Sequence, residues 1–291
     1  MNFPSWVNRA RPFNPRGYPA GCARRCAERR EQSRTHPAFH RQATNAARID
    51  SERAEFDLTC AVEFPILKNM DQTPVHDHHN PDLLALIPAD SSVIVEVGCS
   101  SGALAREFKK INPHCRYIGV EVEPNYAKLA QRYCDSVYEL DIESVNEPLL
   151  KGELACDCWV FGDSLEHLKN PWGLLEKIRE VIPAHGSIVA CIPNAQHWSV
   201  QARLCCGEFR YERSGLMDKT HLRWFTRKTI FEMFNSAGFQ IADGASRIFP
   251  EPDRDKYLPA IKALAACTGT DPEIAAEDAL PIQYVIRATP A

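Results

Sequence analysis

Five residue groups in this chain have the types and spacing to do chemistry. Gly98 and Gly102 bracket a short loop, Gly98-Cys99-Ser100-Ser101-Gly102, where the backbone can take positive φ or approach a ligand closely. Glu121 follows about 20 residues after that loop, the offset at which a carboxylate can accept ribose hydroxyls. Asp163, Glu166 and His167 form a compact O/O/N set that could hold a divalent ion. Otherwise Glu166 orients His167 or caps the next helix. Three residues of one loop do not by themselves define a metal site. His167, His197 and His221 are imidazoles able to titrate near neutrality, the property a general base needs. His167 ranks first, with Glu166 beside it, because it follows a buried strand directly. Last, Trp198, Phe209, Tyr211, Trp224 and Phe225 are interleaved with Arg203, Arg210, Arg213 and Arg223. Aromatic faces stack on rings, and guanidinium groups grip phosphate or carboxylate, so this segment reads as a ligand wall.

The elements that must position these groups are legible from periodicity. Val93-Ile-Val-Glu-Val97 is a β-branched run typical of a strand covered on both faces, and it turns at Gly98 into a helix beginning at Ala103. The free N–H groups of that helix's first turn face whatever the loop holds. Arg116–Glu121, Ser136–Leu140, Cys158–Phe161 and Gly186–Ile192 read as further strands. Helices are expected after Asn80-Pro81, from Pro124, and over Trp172–Val181. Strands alternating with helices imply a parallel sheet with both faces covered, whose carboxyl ends share one ligand-binding edge. Beyond Ile192 the alternation breaks. Phe209–Tyr211 and His221–Phe225 look strand-like, Thr226 caps a helix ending at Gly238, a sixth strand starts at Phe239, and residues 250–280 suggest surface helices. Pro281–Arg287 reads as a last strand.

Size allows one large core, and a net charge of −4 gives no general attraction to nucleic acid or anionic membrane. No apolar run approaches the roughly 18 residues that span a bilayer. The twelve cysteines do not form paired Cys-x-x-Cys sets, and several sit inside apolar strand runs, which points to reduced, structural thiols in the cytosol. Residues 1–69 carry eleven Arg and one Lys with many Pro and no sustained period, so an extended or disordered segment is expected there, with Met70 as an alternative start. An RNA-binding arm is the competing reading of those arginines. The folded domain is expected over 70–291, with 197–225 as an insertion on the acceptor side.

The chain resembles class I methyltransferases that use S-adenosylmethionine (SAM). The matching residues are Glu96-Val-Gly98 with Gly102, Glu121, Asp141-Ile142, Asp163-Ser-Leu-Glu-His-Leu168 and Ile192-Pro-Asn194. The Leu-Glu-His-Leu stretch is similar to the ubiquinone-biosynthesis O-methyltransferases. Cys191–Ser199 continuing to Asp218-Lys-Thr-His-Leu-Arg-Trp-Phe-Thr226 is similar to bacterial methyltransferases of glycan-modifying systems. The resemblance implies a Rossmann-like α/β fold with a seven-stranded, mostly parallel sheet, helices on both faces and an antiparallel last strand. It also implies a SAM site in which Glu121 takes the ribose, Asp141 and the Ile142 N–H take the adenine, and Val122 packs on its face. Glu96, Gly98, Cys99, Ser100, Gly102 and Asp163 would line the methionine part. A saccharide or related small-molecule acceptor is implied, resting on Trp198, Arg203, Arg210, Tyr211, Arg223 and Trp224. A quinone precursor is the alternative acceptor. A nicotinamide dehydrogenase is disfavoured because Ser100 stands where the glycine admitting a pyrophosphate is expected.

Overall fold

The computed structural model describes Val75 and residues 77–291; the Arg-rich stretch expected to be extended, 1–69, lies outside the described residues. Asn80 starts the first helix among the described residues, α1 (Pro81–Leu86), by accepting the N–H groups of Asp82 and Leu83 at 3.0 and 3.2 Å, with Pro81 at the position where a missing N–H costs nothing. The order then runs β1 (Val93–Val97), α2 (Ala103–Ile111), β2 (Arg116–Glu121), α3 (Pro124–Ala130), β3 (Ser136–Glu139), α4 (Glu147–Lys151), β4 (Cys158–Gly162), α5 (Pro171–Val181) and β5 (Ser187–Pro193). After these come α6 (Trp198–Cys205), α7 (Arg227–Ser236), β6 (Phe239–Arg247), α8 (Arg254–Cys267), α9 (Pro272–Asp278) and β7 (Gln283–Pro290).

The seven strands lie in the order β3-β2-β1-β4-β5-β7-β6. All neighbours pair in parallel except at β7, which runs antiparallel to both β5 and β6. The expected fold is therefore present, including the antiparallel last strand. The continuous apolar runs follow from burial on both faces. Within β1, Ile94 packs into one core with Phe108, Tyr117 and Val160, while Val95 packs into another with Ile118, Trp159 and Leu175. The order reverses between β1 and its neighbour β4. This switch point opens a crevice at the carboxyl edge next to the Gly98 loop.

The strap after β5 departs from expectation, and the surface helices hold. Phe209–Tyr211 and His221–Phe225 are not strands; the stretch is an irregular strap with only isolated bridges, Asn194 to Phe225 and Glu212 to Asp218. Trp198–Cys205 is a helix that the aromatic pattern had masked. The surface helices of 250–280 are real, and they carry a small core of their own, Ile261, Ala265, Ala275 and Ala279, with Trp198 packed against it. Arg227 fixes the end of α9 through two bonds to Asp278, at 2.6 and 3.1 Å.

Candidate active site

The loop after β1 is shaped by three residues in the left-handed region, Gly98 (φ 76°), Ser100 (φ 48°) and Gly102 (φ 77°). Gly98 is needed on a second count, since a Cβ there would lie 3.2 Å from the Cβ of Ser164 in the loop after β4. The Gly98 N–H still bonds to the Val120 carbonyl at 2.8 Å, so the ladder with β2 carries into the turn. Glu121 closes β2 with its carboxylate buried. Its Oε2 accepts the Ser100 N–H at 2.9 Å, and its Oε1 accepts those of Val122 and Glu123 at 2.9 and 3.0 Å. A carboxylate offers about four acceptor sites. Glu121 thus ties the glycine loop to the end of β2 and retains capacity for a hydroxyl, a more organising role than its spacing conveyed.

The other cofactor candidates divide by what their side chains do. Asp141 lies beyond β3 and holds the Glu143 N–H at 2.9 Å, beginning a short turn of 3₁₀ helix in which Ile142 is buried. Val122 is exposed beside Glu121. Cys99 turns its thiol inward, where a Cβ on Gly119 would come within 2.6 Å of it, so only its backbone can serve a ligand. Glu96 is also buried, accepts the Tyr117 hydroxyl at 2.9 Å, and is pushed up to about 8, chiefly by desolvation. This acid is a neighbour of the loop rather than a wall of the crevice.

Across the crevice, β4 ends at Gly162, and Asp163 adopts φ 55°, a left-handed conformation uncommon outside glycine. A 3₁₀ turn over Leu165–His167 follows. The Glu166 backbone carbonyl accepts the N–H groups of Leu222 and Arg223, at 2.8 and 3.0 Å, and this docks the strap onto the turn. His167 Nδ1 lies 3.1 Å from the Thr220 carbonyl, so Nδ1 carries the proton and Nε2 is the basic nitrogen. Burial lowers the His167 pKa. His221 is lowered further, to about 4, by burial and then by His167, whose ring centroid is 4.9 Å away. Both imidazoles are therefore neutral at pH 7. Asp218, which was not among the predicted site residues, shapes the strap by accepting the N–H and hydroxyl of Thr220 at 2.8 and 2.6 Å.

Glu166 is 1% exposed, and neither carboxyl oxygen has a hydrogen-bond partner. Desolvation, with Asp163 adding to it, raises its pKa well above the carboxylate range. Among the described residues, six buried side-chain polar atoms lack partners, and five of them belong to Ser164, Glu166, His221 and Trp224. Such atoms are expensive, so their concentration in one place marks a site rather than a packing error. Ligating atoms of Glu166, His167 and His221 all lie within 4.8 Å of one another. The O/N/N set that the structure assembles takes His221 from the strap, whereas the Asp163 of the expected set is held by Gln283.

A family of methyltransferase domains matches residues 75–243, more than half of the chain. The chain belongs to this methyltransferase family. It is an enzyme, and its cofactor is SAM. Solved structures to which this chain is similar include a SAM-dependent methyltransferase of Thermotoga maritima, described as a possible histamine N-methyltransferase (15% identity, 72% of this chain and 86% of that one, TM-score 0.48). Another is the magnesium protoporphyrin IX methyltransferase of Synechocystis PCC 6803 with bound SAH (11% identity, 72% and 78%, TM-score 0.46). A third is a SAM-dependent methyltransferase of Listeria monocytogenes (15%, 72% and 97%, TM-score 0.47). A search of curated proteins gives no match.

In this methyltransferase the remaining predicted residues are engaged elsewhere. His197 is buried, with Nδ1 2.8 Å from the Ser199 hydroxyl and Nε2 3.2 Å from Glu251. Trp198 donates to the same Glu251 oxygen at 2.6 Å and stacks on Tyr257. The pair braces α6 against α8, and the structure does not bring it to His167 and His221. Arg203 pairs with Glu212 at 2.7 Å and Arg210 with Glu208 at 3.1 Å, while Arg223 bonds the Leu222 and Lys169 carbonyls and sits over the Trp172 ring. Tyr211 and Trp224 do come together, with Phe209, and Trp224 continues to His221 through a ring contact of 6.5 Å.

Proposed function

We propose that this SAM-dependent enzyme methylates a hydroxyl of a saccharide or related small metabolite. The observation that carries the reading is the neutral His167 at the carboxyl end of β4, its Nδ1 committed to Thr220 and its Nε2 basic. The Ser164–Gly98 approach brings this loop against the cofactor loop. Backbone groups of Gly98–Gly102 and the Glu121 carboxylate would hold the methionine and ribose parts of SAM, with Asp141 and Ile142 at the adenine. SAM supplies a methyl group on a good leaving group, so alignment is the main requirement, and proximity can provide roughly 7–11 kcal/mol. The acceptor oxygen would take the methyl carbon from the sulfonium, releasing the neutral thioether, and His167 Nε2 would accept the hydroxyl proton. Phe209, Tyr211 and Trp224 offer ring faces to the acceptor.

A second reading is favoured by the unpartnered Glu166 oxygens and His221 Nδ1. Glu166, His167 and His221 would hold a divalent cation, which would lower the pKa of the acceptor hydroxyl. The donor set fits such an ion, with one carboxylate and two neutral imidazoles. Nine described cysteines are all unpaired, which supports placement in a reducing compartment such as the cytosol. No helix among the described residues is long and apolar enough to cross a membrane.

The test is transfer of labelled methyl to the host's polysaccharide, lipid-linked saccharide, quinone-precursor and RNA fractions. Label in a saccharide fraction, lost in His167→Ala while SAH still binds, is the expected result. Label confined to RNA or to quinone precursors refutes the acceptor assignment, and undiminished turnover in His167→Ala refutes the base. Activity abolished by chelation and restored by a divalent ion selects the second reading.

A further inference from the structure

Reversal of the last strand has a chemical effect at the ligand edge. Because β7 is antiparallel, its first residue, Gln283, lies where β4, β5 and β6 end. Gln283 pairs in register with Pro193 of β5 on one side and Arg247 of β6 on the other. Its amide Nε2 donates to Asp163 Oδ1, and its Oε1 accepts from Arg247 Nη1. Arg247 Nε then donates to Asp82 Oδ2 at 3.0 Å. A rung of side chains therefore crosses the carboxyl edge from the loop after β4, through β7 and β6, to α1.

The rung has a fixed direction. Turning the Gln283 amide over would set its oxygen against a carboxylate and its NH₂ against a guanidinium, so charge at both ends holds one orientation. A second strand of contacts runs alongside, with Asn80 Nδ2 3.3 Å from Cys191 Sγ and Cys191 Sγ 3.4 Å from Asp163 Oδ1. Asp163, held from both, is the residue with φ 55°. Left-handed conformations outside glycine cost about 1–3 kcal/mol and persist only where the surroundings over-determine them. Next in sequence is Ser164, whose Cβ lies against Gly98. Position is thus passed from α1 to the loop that receives SAM.

We infer that Gln283 and Arg247 are positioning residues of the cofactor site, and that through them the docking of α1 is coupled to SAM binding. The inference rests on the assignment of the Gly98–Glu121 crevice as the SAM site. Neither residue is on the motifs by which the sequence is recognised as a methyltransferase.

Titration calorimetry with SAH on the full chain tests it. Gln283→Ala and Arg247→Ala each weaken SAH about tenfold, the effect of losing one hydrogen bond to a charged group. Asp82→Asn, on the half-exposed side of α1 where folding is not at risk, weakens it about threefold. The Asp82→Asn/Gln283→Ala double variant is no weaker than Gln283→Ala alone, because both act through one rung. Asp135→Asn removes a carboxylate that bonds Lys109 and the Tyr117 N–H, away from the rung, and leaves SAH affinity unchanged even if the melting temperature falls. Equal loss of affinity in Asp135→Asn, or full additivity in the double variant, means general destabilisation and overturns the inference. Unchanged affinity in both Gln283→Ala and Arg247→Ala also overturns it, provided Glu121→Ala weakens SAH. If Glu121→Ala leaves binding intact, the site assignment itself fails.

Discussion

Replacing Glu166 by Met should make this enzyme more stable and nearly inactive. Glu166 is 1% exposed, and both of its carboxyl oxygens are without partners, so the folded state carries the desolvation cost of an unsatisfied polar group, about 1–3 kcal/mol. Met fills similar space without polar oxygens, and its slight excess of volume gives back part of the gain. For a domain of this length each kcal/mol moves the melting temperature by about 2–4 °C, so a rise of about 2–10 °C is expected. The pH dependence is diagnostic. Burial raises the Glu166 pKa, so the folded chain holds this proton at pH values where the unfolded chain has released it. Wild-type stability from this group is complete below the ordinary value of 4.5 and declines as pH rises from there toward the raised value. Met has no such decline, so its advantage widens with pH. Thermal melts at pH 5, 7 and 8.5, with methyl transfer and SAH binding measured alongside, make the test. Turnover should fall to near background with SAH affinity retained, because Glu166 is the carboxylate of the proposed cation set. A Met variant less stable than wild type at pH 8.5, an advantage that does not change with pH, or retained turnover would refute the view that Glu166 is kept unpaired for function.

Two further outcomes follow from the cofactor loop. Glu96→Gln keeps an acceptor for the Tyr117 hydroxyl but cannot ionise. Since the wild-type carboxyl goes from 4.5 to about 8 on folding, wild type loses stability as pH rises through that window, and the melting-temperature gap to Glu96→Gln should widen up to about pH 8 and stay flat above it. A constant gap sinks the burial argument. Ser100→Gly relieves a left-handed φ of 48° that costs about 1–2 kcal/mol, against about 0.5–1 kcal/mol of added unfolded-state entropy. A slightly higher melting temperature with unchanged SAH affinity is expected in calorimetry, and a drop in either measurement counts against it.

Local chemistry made the fold readable, and distance in sequence hid much of the site. β-Branched runs that must be buried on both faces set β1, β2, β4 and β5 to within a residue or two. Glu121 was legible because a strand-end acid sits at a fixed offset from the glycine loop. The strap misled because its alternation of aromatic and basic residues imitates a strand, while its apolar groups face the site and one another: Phe209 on Trp224, Trp224 on His221. His197 and His221 were equivalent in sequence. What separates them is Glu251, 54 residues from His197, and Glu166, 55 residues before His221. Gln283 carries no sequence signal at all, since its role depends on being 120 residues from Asp163 and adjacent to it in space.

The arginines of the acceptor segment change the reading of what is gripped there. By type and spacing Arg203, Arg210 and Arg223 suit an anionic group, yet Glu212, Glu208 and two backbone carbonyls already occupy them. Releasing any of these guanidinium groups to a ligand would break contacts already made, so part of the binding energy would be consumed in the exchange. The same strap leaves Phe209 at 46% and Tyr211 at 56% exposure, in ring contact with Trp224, which leads to His221. Large exposed aromatics in contact with a buried polar cluster are costly to keep unless a ligand covers them. The carboxylates of Asp163 and Asp218 add to the contrast, because they disfavour a negative charge near the reacting oxygen. Contact with ring faces, more than an arginine clamp, is therefore the interaction by which this enzyme would hold an acceptor.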